Sequence, residues 1–427
     1  MEKTQSSVRS NSSLLSSETN PVEANELSGD RKATESSQQT LRFDAPCASP
    51  SRYRVAMIRQ KFRFDGGGER IVSRMKSILE KQGHEVSLIT RKWQESSDSV
   101  ICCDPPKYTR VLRESLFAKQ ALQAAAYHKF DLVQSHERIP GCSVFRAGDG
   151  VHASWLEQRS RTLNWFSRQS IAISSYHRYV LQAEKELFEH PRLRAVICNS
   201  RMVQQEISDR FSIDPTKLKL IYNGVDTDLF HPDLKKHRSV IRQQLNIPES
   251  APLFLFVGSG FERKGVHRLL RAIQKVPDAY AVVVGRDKSM KRTNRLARDL
   301  GIADRVRLVG AQNEVGPYYG AADAFVLPTL YDPFPNSVME AMASGLAVIT
   351  STKCGGAELI QNGENGFVCD ALDLAGLVEA MQQLSSKQSA EQMGLNARNT
   401  IEPYTLKAMN DQLIALYHEL LSKPQHV

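Results

Sequence analysis

The sequence predicts an α/β protein made of two doubly wound parallel-sheet domains with a cleft between them. Three observations predict it. The chain has 427 residues, too many for one core. Short apolar runs of strand length alternate with helical patterns in two separate series. Most runs of the second series end in glycine or proline, the residues that punctuate such units.

The head, residues 1–50, is rich in Ser, Glu, Thr, Asn and Gln and poor in aromatics. It cannot bury enough surface to offset chain entropy and is expected to be disordered. It lacks the apolar core of a signal or transit peptide. Order is expected from Tyr53. Residues 54–58 read as a buried strand, Gly66-Gly67-Gly68 as a loop, and 69–81 as a helix with Ile71, Met75, Ile78 and Leu79 on one face. Residues 86–90 then read as the next strand, completing a βαβ unit. Residues 132–134 and 195–198 read as further strands, and 51–228 as the first domain. The second domain, 229–403, follows Asn223-Gly224-Val225-Asp226. Its strands are read at 252–257, 280–284, 306–309, 324–327 and 346–350, with a helix over 265–275. The remainder, 404–427, reads as a helix whose stripe of Met409, Leu413, Leu416 and Leu420 needs a surface to cover. Packing back onto the first domain would supply one.

The formal charge of +9 is compatible with nucleic acid, an anionic membrane or phosphorylated substrates. No zinc finger, basic zipper or RNA-binding aromatic motif accompanies it, so no nucleic-acid partner is expected. Seven scattered cysteines without metal spacing read as a reduced, cytoplasmic protein with no structural metal. No run approaches the roughly 20 apolar residues of a membrane span. Residues 155–180 interleave Trp155, Leu163, Trp165, Phe166, Ile171 and Ile173 with Arg159, Arg161, Arg168 and Arg178. Such a basic helix can lie on an anionic membrane or pack on its own domain.

The most informative stretch runs from Tyr331 to Gly345. Asp332 lies on a Pro-rich loop, and Glu340, eight residues on, lies inside the following helix. The new helix exposes unpaired N–H groups around Asn336 and Ser337, which suit a phosphate. Ser337-x-x-Glu340 also reads as a capping box, in which Glu340 only bonds back to its own helix start. Arg263 and Lys264 follow the first strand of the second domain. Arg can grip a diphosphate bidentately and Lys as a point charge, although a solvated basic turn has the same pattern. Gly66–Gly68 lets backbone approach a ligand, or simply makes a tight turn. His136 and Glu137 follow one strand, and Asp149 and His152 follow another. Together they suggest a polar pocket. No G-x-G-x-x-G, Walker lysine, H-E-x-x-H or G-x-S-x-G is present, which argues against dinucleotide oxidoreductases, P-loop enzymes and common hydrolases.

Taken in order, Gly66-Gly67-Gly68-Glu69, Asn223-Gly224-Val225-Asp226, Gly258 through Gly265, and Asp332 through Gly345 resemble the family 4 retaining glycosyltransferases of GT-B fold. That fold has two Rossmann-like domains. The resemblance runs from about Tyr53 to the C-terminus. Gly-Ser-x-Phe-x-Arg-Lys-Gly-Val and Val-Val-Gly-x-Asp-Lys, here with Ser259 and Asp287, are most like the lipopolysaccharide core glucosyltransferase I branch.

The resemblance implies a hexose, most simply glucose from UDP-glucose, moved to a lipopolysaccharide-core-like or other glycolipid or oligosaccharide acceptor, without a metal. Arg263 and Lys264 would neutralise the departing diphosphate, and Glu340 would bind the nucleotide ribose. Asp332 and His152, with Asp149, would face the transferred sugar. Gly66 and Gly67 would lie against the donor, and His136 is a weaker match. A cytoplasmic enzyme, peripheral on the inner face of the plasma membrane, is implied. Two departures stand out: Asp332 replaces the family's usual Glu, and Ser259 replaces a frequent Arg. Another donor, a soluble acceptor or a non-catalytic sugar-nucleotide binder are the competing readings.

Overall fold

The computed structural model describes residues 52–60, 67–92, 99–106 and 108–422, with backbone alone at 67–70. The expected disordered head and the Gly66 position lie outside the described residues.

The first sheet holds seven parallel strands: β1 (Arg54–Ile58), β2 (Glu85–Thr90), β3 (Val100–Cys102), β4 (Leu132–Ser135), β5 (Val144–Arg146), β6 (Ala195–Cys198) and β7 (Leu218–Leu220). Their spatial order is β3-β2-β1-β4-β5-β6-β7. Val55 pairs with Val86 on one side and Leu132 on the other, and Val55, Ala56, Met57 and Ile58 are all fully buried although successive side chains point to opposite faces of the sheet. That is why these strands read as unbroken apolar runs. Helices α1 (Gly67–Lys81), α2 (Arg110–Tyr127), α3 (His152–Ser160), α4 (Trp165–Ala172), α5 (Ser175–Phe188) and α6 (Arg201–Arg210) belong to this half.

The second half starts with α7 (Arg238–Gln244). It then alternates β8 (Leu253–Val257), α8 (Phe261–Lys264), α9 (Val266–Lys275), β9 (Tyr280–Val284), α10 (Met290–Asp299), β10 (Val306–Gly310), α11 (Gly316–Ala321), β11 (Ala324–Leu327), α12 (Asn336–Ala343), β12 (Ala347–Ser351), β13 (Gly366–Cys369), α13 (Leu374–Gln383) and α14 (Lys387–Ile401). The strand order is β10-β9-β8-β11-β12-β13, again all parallel.

Both sheets reverse their winding at one place: between β1 and β4 in the first, and between β8 and β11 in the second. A crevice forms beyond the strand ends at such a reversal, and ligands bind there. The loops after β4, β8 and β11 carry His136–Glu137, Arg263–Lys264 and Asp332. Topology alone therefore puts most of the expected site residues at the two crevices.

The chain crosses between halves twice, and the crossings touch. Val225 N–H donates to Tyr404 O and Leu406 N–H to Val225 O. Gly224 is required here, because a Cβ would lie 2.5 Å from Thr405 O. The second crossing leads into α15 (Leu406–Ser422). Its Met409, Leu413, Leu416, Tyr417 and Leu420 join the core of the first sheet with Val55, Met57 and Val144. Each such side chain contributes about 1.5–3 kcal/mol by burial.

Residues 155–180 form parts of three helices rather than one. Asn164 accepts from Ser167 N–H and starts α4, and Ser174 accepts from His177 N–H and starts α5. These two caps cut the basic stretch into separately oriented pieces.

Candidate functional site

Helix α12 begins directly after Pro333-Phe334-Pro335. Its N-cap is Pro335, which has no side chain to satisfy the first N–H groups. The capping-box reading therefore fails. Ser337 already lies inside the helix, and its Oγ is buried with no hydrogen-bond partner among the described residues. Glu340 lies past the first turn and is 7% exposed. Its Oε2 accepts from the Tyr319 hydroxyl at 2.9 Å. Asn336 is turned toward the hinge, where its Oδ1 accepts from Asn223 Nδ2 at 2.8 Å. Asn223 in turn accepts from Arg146 at 2.6 Å.

Arg263 and Lys264 lie on α8, the single turn that follows β8. Asp287 holds the start of this turn. Its Oδ2 accepts from the N–H groups of Gly260 and Phe261, and its Oδ1 from Ser289 N–H and Oγ. Asp287 is thus a tie between two loops rather than a free ligand. Burial pushes its carboxyl up, but these bonds outweigh that and hold it below the ordinary range. Ser259, in the same loop, is exposed. Gly265 ends the turn at φ 85°, where a Cβ would lie 2.1 Å from Pro328 O. The turn consequently packs flat against the loop after β11.

That packing brings three charges together. Arg263 Nη1 donates to Tyr331 O at 2.7 Å and to Asp332 Oδ2 at 3.1 Å. Lys264 Nζ lies 3.1 Å from the same oxygen. Burial raises the Asp332 carboxyl, but Lys264 and Arg263 more than offset it and hold it ionised. Asp332 is fixed at the backbone as well, by Lys353 O and Gly355 N–H. Two cations against one carboxylate, four residues before an uncapped helix start, leave a net positive site suited to a phosphate.

The first half contributes His152, the opening residue of α3. Its N–H donates to both oxygens of Glu184, at 2.8 and 3.0 Å. Glu184 is 1% exposed and ion-paired to Arg138 at 2.6 Å. The His152 imidazole is pushed down to about 3, by burial first and then by Arg138, His177 and Arg110, so it is neutral. Asp149 is exposed two residues behind Val151. His136 belongs to a different network. It is half-buried beside Gln134 at 3.0 Å, and Gln134 also accepts from the Tyr417 hydroxyl. Glu137 accepts from Gln60 N–H and lies 3.5 Å from Arg59. Gly67 is the first residue of α1.

Tyr331 joins the two halves of the site. Its hydroxyl accepts from Val151 N–H and donates to Glu206, each at 2.8 Å. Gly150, at φ 65°, gives it room, since a Cβ would sit 2.2 Å from that hydroxyl. The loops bearing Asp332 and His152 therefore line one cleft. Glu184, Tyr319, Tyr331 and Glu206 were not singled out by the sequence. Only Glu184 left a trace: it is an acid inside the apolar stripe of Val180, Ala183 and Leu187.

Two doubly wound sheets sharing a cleft lined by a cation pair, an uncapped helix start and buried acids define the GT-B glycosyltransferase class. Two family models match consecutive stretches: Glycosyltransferase Family 4 over residues 65–229 and Glycosyl transferases group 1 over residues 237–400. The chain belongs to this family. It is 28% identical over 231 residues to a lipopolysaccharide core biosynthesis glycosyltransferase of Rhizobium meliloti, covering 54% of this chain and 64% of the relative. It is 25% identical over 323 residues to the lipopolysaccharide glucosyltransferase WaaG of Escherichia coli, covering 74% and 84%. The crystal structure of WaaG superposes with a TM-score of 0.74 at 24% identity, covering 85% of this chain and 99% of that one. Anabaena HepE in complex with UDP-glucose gives 0.64 at 18%, covering 86% and 100%. At these identities the structural likeness speaks to the fold.

Proposed function

We propose that this chain is a retaining hexosyltransferase that moves glucose from UDP-glucose to a lipopolysaccharide-core-like or other glycolipid acceptor. The observation that carries the reading is the convergence of Arg263 and Lys264 on Asp332 just before the start of α12. Departure of a nucleoside diphosphate builds negative charge at its bridging oxygen. Preorganised cations and helix N–H groups stabilise that charge most where water is excluded, by about 3–4 kcal/mol per well-placed donor. Arg263 and Lys264 take the diphosphate, and the α12 start faces its oxygens. Glu340, steadied by Tyr319, takes the ribose hydroxyls. Asp332 bonds a sugar hydroxyl, and the neutral His152 faces the sugar from the other half of the cleft. The names of the Rhizobium and Escherichia relatives support the acceptor class.

A membrane-peripheral position at the cytoplasmic face fits this acceptor. No helix among the described residues is long and apolar enough to cross a membrane. Helix α4 instead holds Trp165, Phe166 and, at its end, Ile173 at 64%, 77% and 73% exposure. One observation favours a second reading, a soluble phosphorylated polyol acceptor. D-inositol 3-phosphate glycosyltransferase of Corynebacterium diphtheriae is 24% identical over 391 residues, covering 83% of this chain and 90% of the relative.

A binding screen of UDP-, GDP- and ADP-sugars, followed by product analysis on lipid-linked and soluble acceptors, tests the proposal. UDP-glucose should bind and be consumed, in EDTA as well as without it. Turnover retained in Arg263→Ala/Lys264→Ala, or a strict metal requirement, would remove the assignment of the diphosphate to these residues.

A further inference from the structure

The mechanism above leaves one contact of the cleft unused. His152 Nε2 lies 3.0 Å from His177 Nδ1, with the rings tilted 32° and their centroids 5.1 Å apart. His177 stands on α5, seven residues before Glu184, which is two helical turns along the same face. That face therefore grips His152 at both ends. Glu184 takes its backbone N–H, and His177 meets its imidazole. The grip is itself braced. Arg138 holds Glu184 and donates to Gly150 O in the loop that leads to His152. Tyr176 stands edge-on to the His152 ring, and the Arg110 guanidinium stacks 3.4 Å above Tyr176. Ser174 caps the start of α5, which fixes where His177 sits.

We propose that His177 is a positioning residue that holds His152 in one ring orientation and one tautomer toward the transferred sugar. The inference rests on the reading that His152 faces that sugar. Burial and the surrounding arginines keep both imidazoles uncharged. Two neutral imidazoles joined through one nitrogen each share a single proton. If His152 Nε2 donates, its Nδ1 is left as an acceptor; if it accepts, its Nδ1 is a donor. The His177 contact thereby ties what His152 can offer a sugar hydroxyl to the tautomer of His177. A ring free to rotate would present both forms and lose the alignment on which transfer depends.

The test uses the full chain with His177→Phe, which keeps the ring and removes the nitrogens, and His177→Asn, which restores a polar atom near the Nδ1 position. Imidazole ¹⁵N shifts of the ligand-free protein should show one His152 tautomer in the parent and in His177→Asn, and a mixture in His177→Phe. With UDP-glucose, kcat should fall about 10- to 100-fold in His177→Phe with the UDP dissociation constant unchanged, and return to within about threefold of the parent in His177→Asn. In the double variant His152→Ala/His177→Phe the loss should be no greater than in His152→Ala alone, because the second residue acts only through the first. An unmixed His152 tautomer in folded His177→Phe, or kcat within twofold of the parent, would overturn the proposal. Failure of the parent to transfer any sugar would instead sink the proposed function. The ¹⁵N comparison does not depend on turnover, so the two failures are separable.

Discussion

The Tyr319 hydroxyl donates to Glu340 Oε2 at 2.9 Å, and both side chains are buried. The bond ties the Glu340 carboxylate to α11, outside its own helix, and the same hydroxyl lies 3.3 Å from Ser337 O in the first turn of α12. Tyr319→Phe removes the hydroxyl and leaves the ring packing against Phe230 and Phe325. The expected cost is about 1–1.5 kcal/mol in nucleoside diphosphate affinity, roughly 5- to 13-fold, with the fold intact. Glu340→Ala should abolish donor binding. Isothermal titration with UDP checks both. An unchanged dissociation constant in Glu340→Ala would make the residue structural.

Asp332 already occupies the two cations assigned to the diphosphate, so an arriving donor must share or displace it. Asp332→Asn keeps the shape and removes the competing charge. UDP alone should then bind several-fold more tightly, because a cation pair without an internal partner is left for it. Transfer should slow, because the sugar loses a charged acceptor. The two effects have opposite signs, which separates this arrangement from general damage to the site. Weaker UDP binding in a folded Asp332→Asn protein would contradict it. UDP affinity in the variant should also fall more steeply with salt.

The fold was readable because strands buried on both faces are continuous apolar runs; Leu253–Val257 and Ala324–Leu327 are examples. Strands β3 and β7 escaped because each has three residues and is largely half-exposed, too little for a pattern. The site divides the same way. Arg263, Lys264 and Asp332 stand in local motifs at strand ends and meet in space. Tyr319 and Tyr331 act through hydroxyls aimed at partners far along the chain, and no spacing announces that. Ser337 misled because the preceding proline, not the serine, takes the cap position. His136 and His152 both stand past strand ends, but His136, the weaker match, follows β4 and is drawn into the network of Gln134 and Tyr417.

Glu137 predicts a pH effect on stability. Burial first, opposed by Arg59 and the Gln60 N–H but reinforced by Asp149 and Glu114, raises its carboxyl from 4.5 to about 7. A carboxyl raised on folding binds its proton more tightly in the folded chain. Its contribution is fully present below about pH 4.5 and is lost as pH rises toward 7. Above pH 7 the ionised group is a net burden. Its side chain retains 23% exposure, so the penalty should reach only about 1–2 kcal/mol. Glu137→Gln should therefore raise the thermal midpoint at pH 8 and change it little at pH 4. Calorimetry at the two pH values checks this. An equal shift at both would mean that Glu137 is not the titrating group.

Helix α4 makes the last prediction, because none of its side chains is buried among the described residues. Trp165 and Phe166 stand edge-to-face on each other, and Ile173 follows at the C-cap. Exposed side chains of this size contribute little to folding, and their bulk and apolarity suit a surface outside the molecule. The neighbouring charges are not equivalent. Arg161 is spent on a two-bond fork to Asp370 in the other half of the molecule, at 2.9 Å for each bond. Arg168 and Arg178 have no carboxylate partner among the described residues and are two of the cations left for an anionic surface. Trp165→Ser/Phe166→Ser/Ile173→Ser should lower binding to vesicles containing anionic lipid by at least about tenfold, with the stability change confined to about 0.5 kcal/mol. Arg168→Gln/Arg178→Gln should weaken binding by about 1 kcal/mol per charge and flatten its salt dependence. Arg161→Gln should leave vesicle binding nearly unchanged and loosen the contact between the two halves. Co-sedimentation at two salt concentrations reads all three variants. Undiminished binding in the triple variant would exclude α4 as the membrane contact.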